Sequence, residues 1–251
     1  RKVRGKQIEQ VKLPENLPLN VELPKYLLLE FHNMPNGNYS KRISRGYITG
    51  FDISMLGKMK ACRAQIAKDL SHCSSVLDIG CAGGHTAAVI QQNGCSDIWG
   101  LDPSPYLLQH AAKDYPGINF VHGIAEKTGF SDERFDGISA CFVFHEIPPK
   151  YSEQALQECY RILEPGGLLR IAEPAPEQLY QPYHKMLLKH GVLGIYFRLI
   201  ARKLHEPFVD AWHQKNYAEW ADSQGFELLH DKNNMPVRHF LLRKKRMNKT
   251  T

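Results

Sequence analysis

Over most of the chain, short apolar runs of strand length alternate with stretches whose apolar residues recur at helical spacing. From Phe51, the series Met55, Met59 and Ile66 running toward Leu70 predicts a helix. Strands are then predicted over 75–79, 98–101, 119–122, 135–142 and 167–172, with helices between them over 86–93, 105–115 and 150–162. This alternation predicts an α/β domain built on an open sheet. Residues 180–208 are apolar with basic punctuation: Leu187, Leu188, Val192 and Leu193 against Lys185, Lys189, Arg198, Arg202 and Lys203. That is an amphipathic helix, packed on the domain, closing as a lid over an apolar substrate, or lying against a membrane. A last helix is expected over 217–224, stopped at Gly225, followed by strands at 226–229 and 239–242. The first forty residues differ in texture: Pro14, Pro18, Pro24 and Pro35 recur without helical period, with a short helix near 26–31 and a turn at Asn36-Gly37. They predict an extended arm, 1–45, wrapped over a domain of 46–251 that carries a helical lid at about 176–212.

Candidate chemistry concentrates where the first strand ends. Val76-Leu77-Asp78-Ile79-Gly80-Cys81-Ala82-Gly83-Gly84 runs from apolar strand through an acid into a glycine-rich turn. In an open α/β sheet a ligand sits beyond the carboxyl end of such a strand. About two dozen residues on, Asp97-Ile98-Trp99-Gly100-Leu101-Asp102 ends in a second acid, placed to accept ribose hydroxyls. Together they imply a nucleoside-containing cofactor. The dinucleotide pattern G-x-G-x-x-G fails, because Ala82 and His85 occupy its second and third glycine positions.

The loop instead resembles acid-x-G-x-G-x-G, the first motif of the Rossmann-like class I S-adenosylmethionine-dependent methyltransferases, with alanine at one glycine position. Three later segments resemble the same family in order and spacing: Val121-His122-Gly123-Ile124-Ala125-Glu126, Phe135 through Glu146, and Tyr160-Arg161-Ile162-Leu163-Glu164-Pro165-Gly166-Gly167 leading into a strand. The resemblance runs from about 66 to 245 and is strongest to the small-molecule subgroup that includes ubiquinone and menaquinone methyltransferases. It implies a mostly parallel sheet with an antiparallel last strand, helices on both faces, and S-adenosylmethionine as methyl donor.

The resemblance also assigns roles. Gly80, Cys81 and Ala82 would line the methionine and ribose portion of the donor, and Gly84 would permit close helix packing. Asp78 would order the loop and the donor's ammonium group, Asp102 would hold the ribose, and Pro103 would pack on adenine. Ala125 and Glu126 stand where the adenine edge is read, but Ile124 replaces the usual aspartate there. Cys141 and Phe142 would wall the sulfonium side, and Tyr47 and Arg63 would approach the donor's amino-acid end. His145 and Glu146 follow the fourth strand on the rim facing the substrate. Histidine titrates near neutrality and is the usual general base, which an adjacent acid can tune.

The expected activity is methyl transfer by in-line displacement to a small, apolar organic acceptor. Two alternatives stand beside it: methylation of a quinone or lipid at a membrane surface through residues 185–204, and a donor-binding scaffold without catalysis, motivated by Ala82 and Ile124. No metal is expected. The net charge of +6 lies largely in terminal runs such as Arg243, Lys244, Lys245 and Arg246, read as solvated tails, so nucleic acid is not expected as a partner. The six scattered cysteines lack the close spacing of metal or redox pairs and, with no visible secretory signal, predict reduced thiols and a cytoplasmic location.

Overall fold

The strand signals resolve into one seven-stranded sheet. Residues 10–246, apart from 15, 16, 18, 33, 35 and 205, are described by a computed structural model. Strands β1 (Ser75–Ile79), β2 (Asp97–Asp102), β3 (Asn119–His122), β4 (Phe135–Cys141) and β5 (Leu163–Pro174) run parallel. After them come β6 (Phe226–Asn234) and β7 (Val237–Lys244), which form an antiparallel hairpin; β7 inserts beside β5. The order is β3-β2-β1-β4-β5-β7-β6, so the chain reverses its direction of winding between β1 and β4. A crevice forms at the carboxyl ends of the strands on either side of such a reversal.

The helices are α1 (Lys41–Ser54), α2 (Lys58–Asp69), α3 (His85–Gln92), α4 (Pro105–Asp114), α5 (Pro149–Ile162), α6 (Glu177–Tyr180), α7 (Tyr183–Lys203), α8 (Val209–His213) and α9 (Tyr217–Ser223). They cover both faces of the sheet, which is why the central strands are apolar on both sides. Leu77 and Ile79 of β1 join Leu156, Cys159 and Trp220 in one core cluster; Val76 points the other way, to Met59, Ile66 and Ile90. Burying each such side chain fully contributes about 1.5–3 kcal/mol.

Several boundaries differ from expectation. The helix expected from Phe51 to Leu70 is two helices, because Leu56 and Gly57 both take positive φ (49° and 74°). The first of these begins at Lys41, inside the span assigned to the arm. The amphipathic stretch is broken at Gly191 (φ 62°, ψ −151°). The basic run at the end of β7 is solvated except at one residue. Lys244 is buried, donating to the Leu163 carbonyl (2.6 Å) over the Tyr160 ring, while Arg243 pairs with Glu227 and Lys245 with Asp222. The expectations resting on Pro18, Pro35 and the first nine residues lie outside the described residues.

The described part of the N-terminal segment lies along α4 and the core. Val11 and Tyr39 pack with Tyr106, the Asn38 carbonyl accepts Ser104 Oγ (2.5 Å), and Tyr26 enters the main core. Among the described residues no helix is long and apolar enough to cross a membrane.

Gly50 sits inside α1 with open space where a Cβ would be. Helical glycine costs about 1 kcal/mol relative to alanine. Gly50→Ala is therefore expected to raise the stability of the fold by about that amount, read as a higher urea midpoint at unchanged slope.

Candidate functional site

The carboxyl ends of β1 and β2 are joined through backbone hydrogen bonds. Gly80 N and Cys81 N donate to the Leu101 carbonyl (2.7 and 3.1 Å), and Ala82 N donates to Asp102 Oδ2 (2.9 Å). The other oxygen, Oδ1, accepts Ser104 N (2.8 Å) at the start of α4. Burial pushes the Asp102 carboxyl up to about 6, against the pull of these two amides, so it is ionised at neutral pH. Ala82 takes the positive φ (46°) that a glycine would offer freely, so the loop keeps its turn despite the substitution.

This loop bounds a first cavity. Of the residues assigned to the donor, Tyr47, Arg63, Gly80, Cys81, Ala82, Asp102, Pro103, Ala125, Cys141 and Phe142 line it. Gly84 does not: it precedes α3 at φ 79°, where a Cβ would strike Phe120. Asp78 lies beneath the loop, fully buried, accepting Ser139 Oγ (2.6 Å) on Oδ1 while Oδ2 has no partner. Burial pushes its carboxyl up to about 7. Arg63 forks onto Asp52 (2.6 and 2.7 Å), leaving its buried Nε without a partner. An unpaired carboxylate oxygen and an unpaired guanidinium N–H fit the ammonium and carboxylate of an amino-acid end. The residues present therefore suit S-adenosylmethionine.

Glu126 does not line this cavity: its Oε1 accepts the hydroxyl of Tyr26 from the N-terminal segment (2.6 Å), while its buried Oε2 has no partner. Ile124 and Ala125 leave that wall apolar. The same segment contributes a residue not foreseen: Asn38 lines the cavity, and its Oδ1 is buried without a partner.

A second cavity of about 430 Å³ adjoins the first. Met34, Tyr47, Phe51, Phe142 and Glu146 border both. Phe142 directly follows β4 at φ 61°, an outlier for a bulky residue, and its ring meets Phe51 and His145 edge-on. The rest of the wall, from α1, α6 and α7, is mostly apolar, with Ser54 and Gln178 as its polar members, except at one end.

That end holds His32, His145, Glu146 and Glu206. His145 is almost fully buried. Its Nδ1 makes a very short hydrogen bond to Glu173 Oε2, and its Nε2 has no hydrogen-bond partner. The nearest carboxylate oxygens to Nε2 are those of Glu206 (3.7 Å) and Glu146 (3.9 Å). Burial alone would lower the imidazole's pKa, but Glu173 and Glu206 hold it well above the usual histidine range. The acid that tunes His145 is thus Glu173 on β5, with Glu206, rather than the neighbouring Glu146. At neutral pH the ring is an imidazolium, suited to holding an anionic oxygen rather than to taking a proton from a neutral one. His32 stacks on Tyr47 and pairs with Glu146 (3.2 Å) and Glu206 (3.6 Å).

Glu173, Glu206 and His32 were not singled out from the sequence. The only local signal was the acid at the end of the fifth strand signal, in Ile171-Ala172-Glu173-Pro174. Among the described residues no cluster of three or more histidine, cysteine or acidic side chains could hold a metal ion.

A crevice at the switch point of a sheet ordered β3-β2-β1-β4-β5-β7-β6 defines an open α/β domain with its ligand site at the strand ends. Residues 77–171 match the methyltransferase domain family. The demethylmenaquinone methyltransferase of Chlorobaculum tepidum is 34% identical over 119 residues, covering 45% of this chain and 48% of that protein. The enzyme of the same name from Staphylococcus haemolyticus is 27% identical over 217 residues, covering 80% and 86%. A solved S-adenosylmethionine-dependent methyltransferase from Thermotoga maritima, 19% identical, shares the fold with a TM-score of 0.56 over 82% of this chain and 97% of its own. The chain spans about half the length of the curated relatives it matches above 30% identity (46% to 48%). Over residues 77–171 it carries a methyltransferase domain, and across part of its length it is similar to the menaquinone methyltransferases.

His32 has its pKa raised from 6.5 to about 9 because Glu146 and Glu206 outweigh its burial. A raised folded-state value gives stabilisation that is complete below pH 6.5 and is lost as pH rises through 9, on the order of 3 kcal/mol. Denaturation of the wild type across that window should show the loss. His32→Asn should flatten this part of the curve, and an unchanged slope would remove the charged pair from the account.

Proposed function

We propose that this chain transfers a methyl group from S-adenosylmethionine to a small organic acceptor held in the second cavity. The wall shared by the two cavities, Tyr47, Phe51 and Phe142, carries this reading, because it lets a donor on one side meet an acceptor on the other. The donor supplies an electrophilic methyl on a sulfonium: the bond to the acceptor atom forms as the methyl–sulfur bond breaks, and sulfur keeps the electron pair. The protein's task is then chiefly to hold the two in line.

Asp102 would accept the ribose hydroxyls, with Pro103 and Ala125 against adenine and Asn38 supplying the polar atom that Ile124 cannot. Asp78 and Arg63 would face the amino-acid end. The imidazolium Nε2–H of His145, held by Glu173, would hydrogen-bond an ionised acceptor oxygen. Glu146, bordering both cavities, is the carboxylate positioned to take the acceptor's proton. The apolar remainder of the wall favours an acceptor with little polar surface, and relatives named for demethylmenaquinone support a quinone-type ring. The scaffold alternative loses its two grounds, since Ala82 adopts the turn and Asn38 offers a polar atom in place of the missing aspartate.

A hydrogen bond to a charged group contributes about 1.5–3 kcal/mol, so Asp102→Asn is expected to weaken donor binding about 10- to 100-fold by calorimetry. Wild-type affinity should also fall as pH drops through about 6, where Asp102 takes up a proton. Wild-type affinity in Asp102→Asn would remove the donor assignment. With an acceptor in hand, His145→Gln should lower kcat about 100-fold or more while leaving donor affinity unchanged.

A further inference from the structure

The outer face of α7 is neither packed against the described protein nor polar. Met186, Gly194 and Phe197 turn inward, while Leu187, Leu188 (86% exposed), Val192 (79%) and Leu193 stand in water. The corner between α1 and α2 extends the same surface. Tyr196 of α7 donates its hydroxyl to the Ser54 carbonyl (2.7 Å), and beside Ser54 lie Ile53 (67%) and Leu56, also exposed. Soluble proteins rarely gather this much large apolar surface in one place without a partner.

Charge narrows the choice of partner. The twenty-one residues of α7 contain no Asp or Glu, yet Lys185, Lys189, Arg202 and Lys203 are exposed on it, whereas Arg198 is buried against the Leu179 carbonyl. Lys58 and Lys60 flank the corner. Glu177 pairs with Lys189 of this helix and with His190, and Asp52 pairs with Arg63, which leaves Lys185, Lys58 and Lys60 as exposed cations of the surface. A second copy of the chain laid on this face would bring cations against cations. An anionic lipid surface would receive the leucines into its acyl boundary and the lysines and arginines at its headgroups.

We propose that α7 and the α1–α2 corner form one surface that docks the protein peripherally on anionic bilayers. The surface adjoins the second cavity: Leu204, just past α7, both lines that cavity and is partly exposed, and Gly46 and Gly50 line it from α1 with open space beside them. Docking therefore sets the open side of that cavity against lipid.

Flotation of the full chain with vesicles tests this. Wild type should float with vesicles of phosphatidylcholine mixed with phosphatidylglycerol, less with phosphatidylcholine alone, and less at high salt. The double variant Leu188→Glu, Val192→Glu changes side chains already in water, so a thermal melt should confirm folding while vesicle binding falls more than about tenfold. Lys185→Glu should cost about fivefold or more on anionic vesicles and little on neutral ones. Wild type that stays unbound to both vesicles, or a double variant that floats equally well, overturns the proposal. So does concentration-dependent dimerisation in sedimentation that the double variant abolishes without any vesicle binding, which would assign the surface to a second copy. Donor calorimetry on the same variants should be unchanged. Failure of wild type to bind donor would defeat the methyl-transfer reading alone.

Discussion

A carboxylate taken out of water at the end of a strand must find N–H donors, and two such carboxylates organise this molecule. Asp102 at the end of β2 collects amides from the loop after β1 and from the start of α4. Glu173 at the end of β5, with no exposed surface, collects the amides of Val143, Phe144 and His145 as well as the His145 ring. A buried carboxylate left unpaired would cost several kcal/mol, so each loop is fixed by the acid it satisfies. The first acid shapes the first cavity. The second turns the chain after β4 so that Phe142 and His145 face the second.

That turn is held at a cost. Phe142 and Ala82 both occupy positive φ without being glycine. Such residues cost on the order of 1–3 kcal/mol each and persist only where the surroundings over-determine them. Here both line the first cavity, and Phe142 borders the second as well. Phe142 N is tied to the Ala172 carbonyl (2.7 Å), and Ala82 N to Asp102. The strain therefore sits in the walls of the cavities.

The sheet and the glycine loop were legible because they depend on local order: strand-length apolar runs, helical spacing between them, and an acid followed by glycines. The elements at the acceptor end were not. His32, His145, Glu173 and Glu206 are scattered over the chain, and only the fold brings them together, so no spacing rule could join them. The contact of Glu126 was hidden for a related reason: its partner, Tyr26, comes from a segment one hundred residues away. Lys244 was misread as tail, although period-two alternation puts it on the same side of its strand as Phe240 and Leu242, both of which belong to the core. The break at Leu56-Gly57 carried a glycine signal that the surrounding apolar spacing obscured.

The N-terminal segment works as a strap common to both chambers. Asn38 borders the first cavity near Ser104, while His32, a few residues earlier, reaches Glu206 at the second. One short stretch of backbone thus supplies part of the wall of each chamber, so a change there would be felt in both.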